Sequence, residues 1–151
     1  MLQKILVPLD GSELAEKALP YAEALAQKFE AELILTIVLQ TPTVPLLAEP
    51  YGGVPLYNYD EMDMTERRKS AQEYLAGVKD KLDKRIASIR TKVLENVSVA
   101  DGIVDIAKQE KIDVIVKTTH GRSGPSRWIY GSVATKVLQQ APCPIFLVRV
   151  K

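Results

Sequence analysis

The stretch "KILVPLD", residues 4–10, runs straight into Gly11 and Ser12, and its reading decides the fold. Five of its seven residues are apolar, without alternation, up to a turn signal. A strand buried on both faces needs that pattern, because neither face meets water. Such strands belong to parallel sheets covered by helices, so a helical stripe should follow. Ala15, Ala18, Leu19, Ala22, Ala26 and Phe29 supply it, at steps of 0, 3, 4, 7, 11 and 14, with Ser12 as the N-cap. Pro20 inside the stripe deletes one backbone bond and predicts a kink.

"AELILTIVL", residues 31–39, predicts a second buried strand. An irregular loop is expected at about 40–62, where Pro42, Pro45, Pro50 and Pro55 stand with Gly52-Gly53 and Tyr51, Tyr57 and Tyr59. Loops of that length tend to be functional or disordered, and the apolar content here argues against free disorder. A helix should run from Thr65 to about Arg90, with Ala71, Leu75, Val78, Leu82 and Ile86 on one face. "KVLENVSV", residues 92–99, alternates as a strand at a sheet edge should. A helix at Gly102–Glu110, a strand at "DVIVK" (113–117), a helix at Ser132–Gln140 and a strand at "PIFLVRV" (144–150) complete the series.

Strands alternating with helices predict an α/β fold, a five-stranded parallel sheet with helices on both faces. With 151 residues, one domain covering 1–151 is expected. Right-handed crossovers leave few arrangements, with the alternating third strand at one edge and the last strand at the other. That last strand is apolar at nearly every position, and an exposed apolar edge invites a second chain. A homodimer through 144–150 answers this; a helix or loop over the edge is the alternative.

Composition excludes several classes. The charge is +1, from 20 basic and 19 acidic residues, which gives no electrostatic case for nucleic acid or a membrane surface. No run of about 18 apolar residues occurs, and the opening apolar run is too short for a signal-peptide core, so a cytoplasmic location is expected. Cys143 and His120 are the single residues of their types, which disfavours a disulfide, a Cys/His zinc site and a Cys–His dyad. Cys143, between Pro142 and Pro144, reads as an inert thiol.

Ligands of such sheets bind beyond the carboxyl ends of the strands, where strand order reverses. Two loops end there, Pro8-Leu9-Asp10-Gly11-Ser12 and the segment from Lys117 to Ser132, and they border one crevice if the first and fourth strands are neighbours. Gly121 and Gly124 permit close backbone approach, Arg122 and Arg127 add positive charge, and Gly131-Ser132 opens a helix whose free N–H groups can hold an anion. Alternatively, the glycines only turn the chain and Ser132 only caps the helix. Asp10 can accept from a ribose or an adenine amino group, or tie down its own turn. Neither a Walker loop nor a dinucleotide fingerprint occurs.

"ILVPLDGSELAEKALPYAEALA" (5–26) and "DVIVKTTHGRSGPSRWIYGSVATKVLQQAPCPIFLVR" (113–149) resemble the universal stress protein family. The resemblance implies strand order 3-2-1-4-5, as in adenine-nucleotide alpha hydrolase-like folds, and a homodimer through the last strand. One branch of that family binds ATP through G-x2-G-x9-G-[ST]. Gly121 matches the second glycine, and nine residues later Gly131-Ser132 completes the signature, while Thr118 replaces the first glycine. By the same resemblance Asp10 contacts the ribose or adenine with Pro8 and Leu9 alongside, and Val38 packs on the adenine. Gly121, Arg122, Gly131, Ser132 and Val133 hold the phosphates and ribose, and Lys117, near the base, stands where the family often has an apolar residue. The implied ligand is ATP, AMP or another adenine nucleotide, with Mg²⁺ or Mn²⁺ accompanying it. The implied role is a dimeric regulator of stress adaptation with an unidentified protein partner. A nucleotide-free interaction module and a slow ATPase are the competing readings.

Overall fold

The computed structural model describes residues 1–41, 57–119 and 131–150, of which 57–63 by backbone alone. In chain order the elements are β1 (Lys4–Pro8), α1 (Glu13–Glu16), α2 (Leu19–Phe29), β2 (Glu32–Gln40) and α3 (Tyr57–Lys81), then β3 (Ser88–Asn96), α4 (Val99–Gln109), β4 (Val114–Thr119), α5 (Ser132–Gln140) and β5 (Ile145–Arg149). The strands form one parallel sheet in the order β3-β2-β1-β4-β5. β1 sits in the middle and is dry on both sides: Ile5, Leu6 and Val7 are all 0% exposed, as are Leu33 to Thr36 of the neighbouring β2. Alternation sends Ile5 and Val7 into one core with α2 and α3, and Leu6 into the other with α4 and α5. Each fully buried aliphatic side chain contributes roughly 1.5–3 kcal/mol, so the two cores together fix which helix covers which face.

Pro20 does more than kink the first helical stripe. The stripe breaks after Glu16 into α1 and α2, and Pro20 falls in the first turn of α2, where a missing N–H leaves no bond unmade. Ser12 caps α1 as expected, its Oγ accepting from the Ala15 N–H at 3.1 Å. Phe29 leaves the stripe and is exposed at the end of α2.

The irregular loop expected at about 40–62 requires correction at both ends. Gln40 is the last residue of β2, and α3 already begins at Tyr57; the remainder, 42–56, lies outside the described residues. Prolines and tyrosines mask helical propensity at the start of α3. At its other end α3 stops at Lys81, short of Arg90. Glu23 reaches from α2 to accept the Asp83 N–H at 2.8 Å, and the Asp83 carboxylate accepts from the Arg85 N–H at 2.9 Å. Ile86 is buried as expected, but from a turn, so its match to the helical stripe is a coincidence of spacing. Ser88 to Arg90 already pair with β2.

The alternating strand is at the edge, as its pattern predicts, and its outward side is polar for a reason. Arg90 bridges Glu32 and Glu110, both at 2.8 Å, and Lys92 adds a second contact to Glu110 at 3.0 Å. Hydrogen bonds from Arg90 and then Lys92 pull the Glu110 carboxyl down to about 2, and Arg90 lowers Glu32 as well. A depressed folded-state pKa means that the network's stability is complete above Glu110's ordinary value of 4.5 and is lost as pH falls toward about 2. Urea unfolding at a series of pH values checks this. The wild-type midpoint should fall across that window, and Glu110→Gln should flatten the fall; identical slopes would show that the network does not stabilise the fold.

A crevice at the carboxyl ends of β1 and β4

Backbone bonding explains why the sheet opens where it does. In a parallel strand alternate residues address opposite neighbours. The Leu9 N–H donates to the Thr36 carbonyl at 2.8 Å and the Gln3 carbonyl accepts from Glu32 at 2.8 Å, so odd-numbered residues of β1 face β2. The Lys4 carbonyl accepts from the Asp113 N–H at 3.0 Å, so even-numbered residues face β4. Pro8 is even-numbered and has no N–H to offer β4. The β1–β4 register accordingly runs over Ile5↔Val114 and Leu6↔Ile115, whereas β1–β2 pairing continues to Pro8↔Thr36. Past Leu6 the strands part, and the chain leaves β1 toward α1 on one face while α5 begins on the other.

The gap is a crevice of about 210 Å³. Pro8, Leu9 and Asp10 form its β1 side, Lys117 and Thr118 its β4 side, Val38 the β2 side and Val133 the start of α5. Seven residues singled out in the sequence are thus brought together. Gly131 and Ser132 immediately precede Val133, at the start of α5 and outside the crevice wall. Gly121 and Arg122 lie outside the described residues. The sequence reading missed Leu14 and Ala15 of α1 as wall residues, and Val99 and Ile103 of α4. Val99, Ile103 and Ala107 repeat at i+4, a signal obscured by starting that helix at Gly102, whereas Ser98 caps it by accepting the Asp101 N–H at 3.3 Å.

Asp10 is held in place. Its Oδ1 accepts the Ser12 N–H at 2.9 Å and the Ser12 hydroxyl at 2.5 Å, while that hydroxyl also caps α1. Burial alone would raise the Asp10 carboxyl, but the two Ser12 donors and the charge of Lys117 outweigh it and lower the pKa. Asp10 therefore ties down its own turn and remains an anion at the crevice mouth, with Oδ2 making no hydrogen bond to a described residue. Lys117 shows the opposite balance: burial pushes its ammonium down and the charge of Asp10 only partly restores it. Thr118 is buried on β4. At the head of α5, Gly131 has φ 82° and ψ 152°, a conformation open in practice to glycine alone, and its carbonyl accepts from Thr135 at 3.0 Å.

Chemically the crevice offers apolar walls for a flat ring, a fixed acceptor in Asp10 and a donor in Lys117. The first-turn N–H groups of α5, which no side chain caps, lie next to Val133. No group of three or more His, Cys, Asp or Glu able to hold a metal occurs among the described residues. Cys143 stands away from the crevice, half-buried, with burial raising its thiol, in keeping with an inert role.

The wall also depends on a close approach. A Cβ on Gly102 would stand 2.5 Å from Val38 Cγ1 and 3.0 Å from Cγ2, so only glycine lets α4 pack this tightly on β2. Gly102→Val should destabilise the fold by about 1–3 kcal/mol through overpacking. Urea unfolding measures it, and wild-type stability would contradict the packing described.

A family model for the universal stress protein family matches residues 1–149. A universal stress protein of Methanocaldococcus jannaschii is 32% identical over 149 residues, covering 99% of this chain and 83% of its own length. The universal stress protein YxiE of Bacillus subtilis is 33% identical over 150 residues, 99% of this chain and 100% of its own. Among solved structures, a second M. jannaschii protein has TM-score 0.81 at 24% identity, covering 100% of this chain and 98% of its own. A universal stress protein in complex with cAMP has TM-score 0.70 at 19% identity, over 99% and 98% of the two chains. An Arabidopsis thaliana family member with AMP bound has TM-score 0.66 at 14% identity, over 99% and 92%. The structural likenesses, each below 25% identity, speak for the five-stranded fold. On the sequence match across residues 1–149, the chain belongs to the universal stress protein family.

Proposed function

We propose that this chain binds an adenine nucleotide, ATP in the first instance, in the crevice between β1 and β4, and acts as a dimeric nucleotide-responsive regulator of stress adaptation. The observation that carries the reading is the convergence of Asp10, Val38, Lys117 and Val133 on one crevice at the point where strand order reverses. Val38 and Ile103 offer apolar surface to a base, Asp10 an acceptor to a ribose or an exocyclic amine. Gly131, with its positive φ, leaves the backbone at the start of α5 bare for a phosphate. Relatives of the same fold whose structures hold AMP or cAMP support the ligand class. Gly121 and Arg122 join the phosphate side in this reading. Mg²⁺ or Mn²⁺ would arrive with the nucleotide, held by its phosphates. At most slow hydrolysis is expected.

A nucleotide-free interaction module of the same family is the second reading. Thr118 favours it, a buried branched side chain where the ATP signature has glycine. Calorimetry on nucleotide-stripped protein separates the two. Saturable ATP binding at millimolar concentration or tighter is expected, and its loss in Gly131→Val, whose branched side chain does not tolerate φ 82°. No saturation in the wild type supports the module, and wild-type affinity in a folded Gly131→Val variant removes α5 from the site.

The dimer would form through 144–150. β5 is an edge strand that exposes Phe146 to 41%, against Tyr21 of α2, itself 49% exposed, with ring centroids 5.8 Å apart. A second copy pairing along β5 would cover both rings. Phe146→Lys should convert a dimer into a monomer in sedimentation equilibrium; a dimer that survives the change places the contact elsewhere.

A further inference from the structure

Lys117 is anomalous among the described cations. Five described lysines and arginines are half-buried: Lys4, Arg67, Lys92, Lys117 and Lys136. Lys4 donates to the Glu110 carbonyl, Arg67 to the Gln40 carbonyl, and Lys92 and Lys136 pair with Glu110 and Asp101. Lys117 alone of the five makes no hydrogen bond or ion pair within the described residues. It projects from the same sheet face as Ile115, which packs with Val38 and Ile103, and it lines the crevice those residues form. A partly desolvated ammonium among aliphatic side chains is unfavourable unless something pairs with it. Asp10 attracts it across the crevice, but the Asp10 oxygen that is engaged already takes both Ser12 donors. Lys117 is also the one lysine or arginine among the described crevice-lining residues.

We propose that Lys117 is the specificity-determining cation of the crevice: its ammonium donates to an anionic phosphate oxygen of the ligand, so the site takes a nucleoside phosphate and discriminates against the uncharged nucleoside. This rests on the nucleotide reading above and adds the residue that enforces charge selection. A charge-assisted bond of this kind is shorter and stronger than a neutral one, and desolvation by Val38, Val99, Ile103 and Val133 strengthens it further. A lysine suits the task because it is a point charge that adapts to a phosphate without demanding bidentate geometry.

A second consequence follows from its protonation. Of the titratable groups described, Asp10 of the β1 end faces Lys117. β2, α4 and α5 present Val38, Val99, Ile103 and Val133, and Leu147 is its register partner on β5. Burial lowers the pKa of the free ammonium, and an anionic partner raises it again. Binding therefore takes up protons at alkaline pH, and affinity weakens as pH rises through the free-state value.

The test measures AMP and adenosine binding to wild-type protein and to Lys117→Met, whose side chain has similar length and no charge. Wild type should prefer AMP. Lys117→Met should weaken AMP roughly 10- to 100-fold and leave adenosine nearly unchanged, as loss of one charged hydrogen bond requires. Calorimetry with AMP at a series of alkaline pH values, in buffers of different ionisation enthalpy, should show proton uptake in the wild type and none in the variant. Equal weakening of both ligands would overturn the proposal, placing Lys117 at the base or sugar or in a packing role. Unchanged AMP affinity would overturn it as well. Failure of the wild type to bind either ligand would refute the nucleotide reading itself, an outcome distinct from both.

Discussion

The carboxyl edge of this sheet depends on where one ladder of hydrogen bonds stops. β1 and β4 are neighbours, yet their register extends over Ile5↔Val114 and Leu6↔Ile115, and Pro8 occupies the position whose N–H would have continued it. A proline at the end of a central strand is tolerated because its other partner, β2, is addressed by the odd-numbered residues, with Leu9 still bonded to Thr36. The result is a fork. Right-handed crossovers then place α1 and α2 on one side and α4 and α5 on the other, and the fork becomes a crevice with helices on both flanks.

What fills the mouth of that fork follows from local chemistry. The turn after β1 must reverse into α1, and Gly11 at φ 85° with Ser12 as N-cap accomplishes it. Asp10 is drawn into this turn through Ser12, which fixes a carboxylate at the rim. Across the gap, β4 alternates toward α5 and so presents Lys117 on the face shared with Val38 and Ile103. Two opposite charges thus stand at one crevice without neutralising each other through a direct bond, and a ligand with both donor and acceptor groups can engage each.

The sequence exposed the architecture because its signals were redundant. Unalternating apolar runs, a helical stripe between them and an alternating edge strand all pointed to one parallel sheet, and strand order agreed. Boundaries were less legible where tertiary contacts override local pattern. The turn at Asp83 is held by Glu23 from another helix, which no local window contains, so the helical stripe seemed to run on to Ile86. Tyr57 begins a helix despite the proline-rich chain before it. In the candidate site, Asp10 and Lys117 were legible because the segments that follow two buried apolar runs carry them, while Val38 and Val133 were reached only through the family resemblance. Val99 and Ile103 were not legible, since their role as crevice wall depends on Gly102 letting α4 approach β2.

Amide chemical-shift mapping of isotopically labelled protein titrated with AMP tests the central claim most directly. If the fork between β1 and β4 is the nucleotide site, saturable shifts should concentrate at Leu9 to Ser12, Val38, Lys117 to Thr119 and Gly131 to Val133, with the Glu32–Arg90–Glu110 edge unmoved. Saturable shifts centred anywhere else on the sheet, or a spectrum unchanged at millimolar AMP, would contradict it.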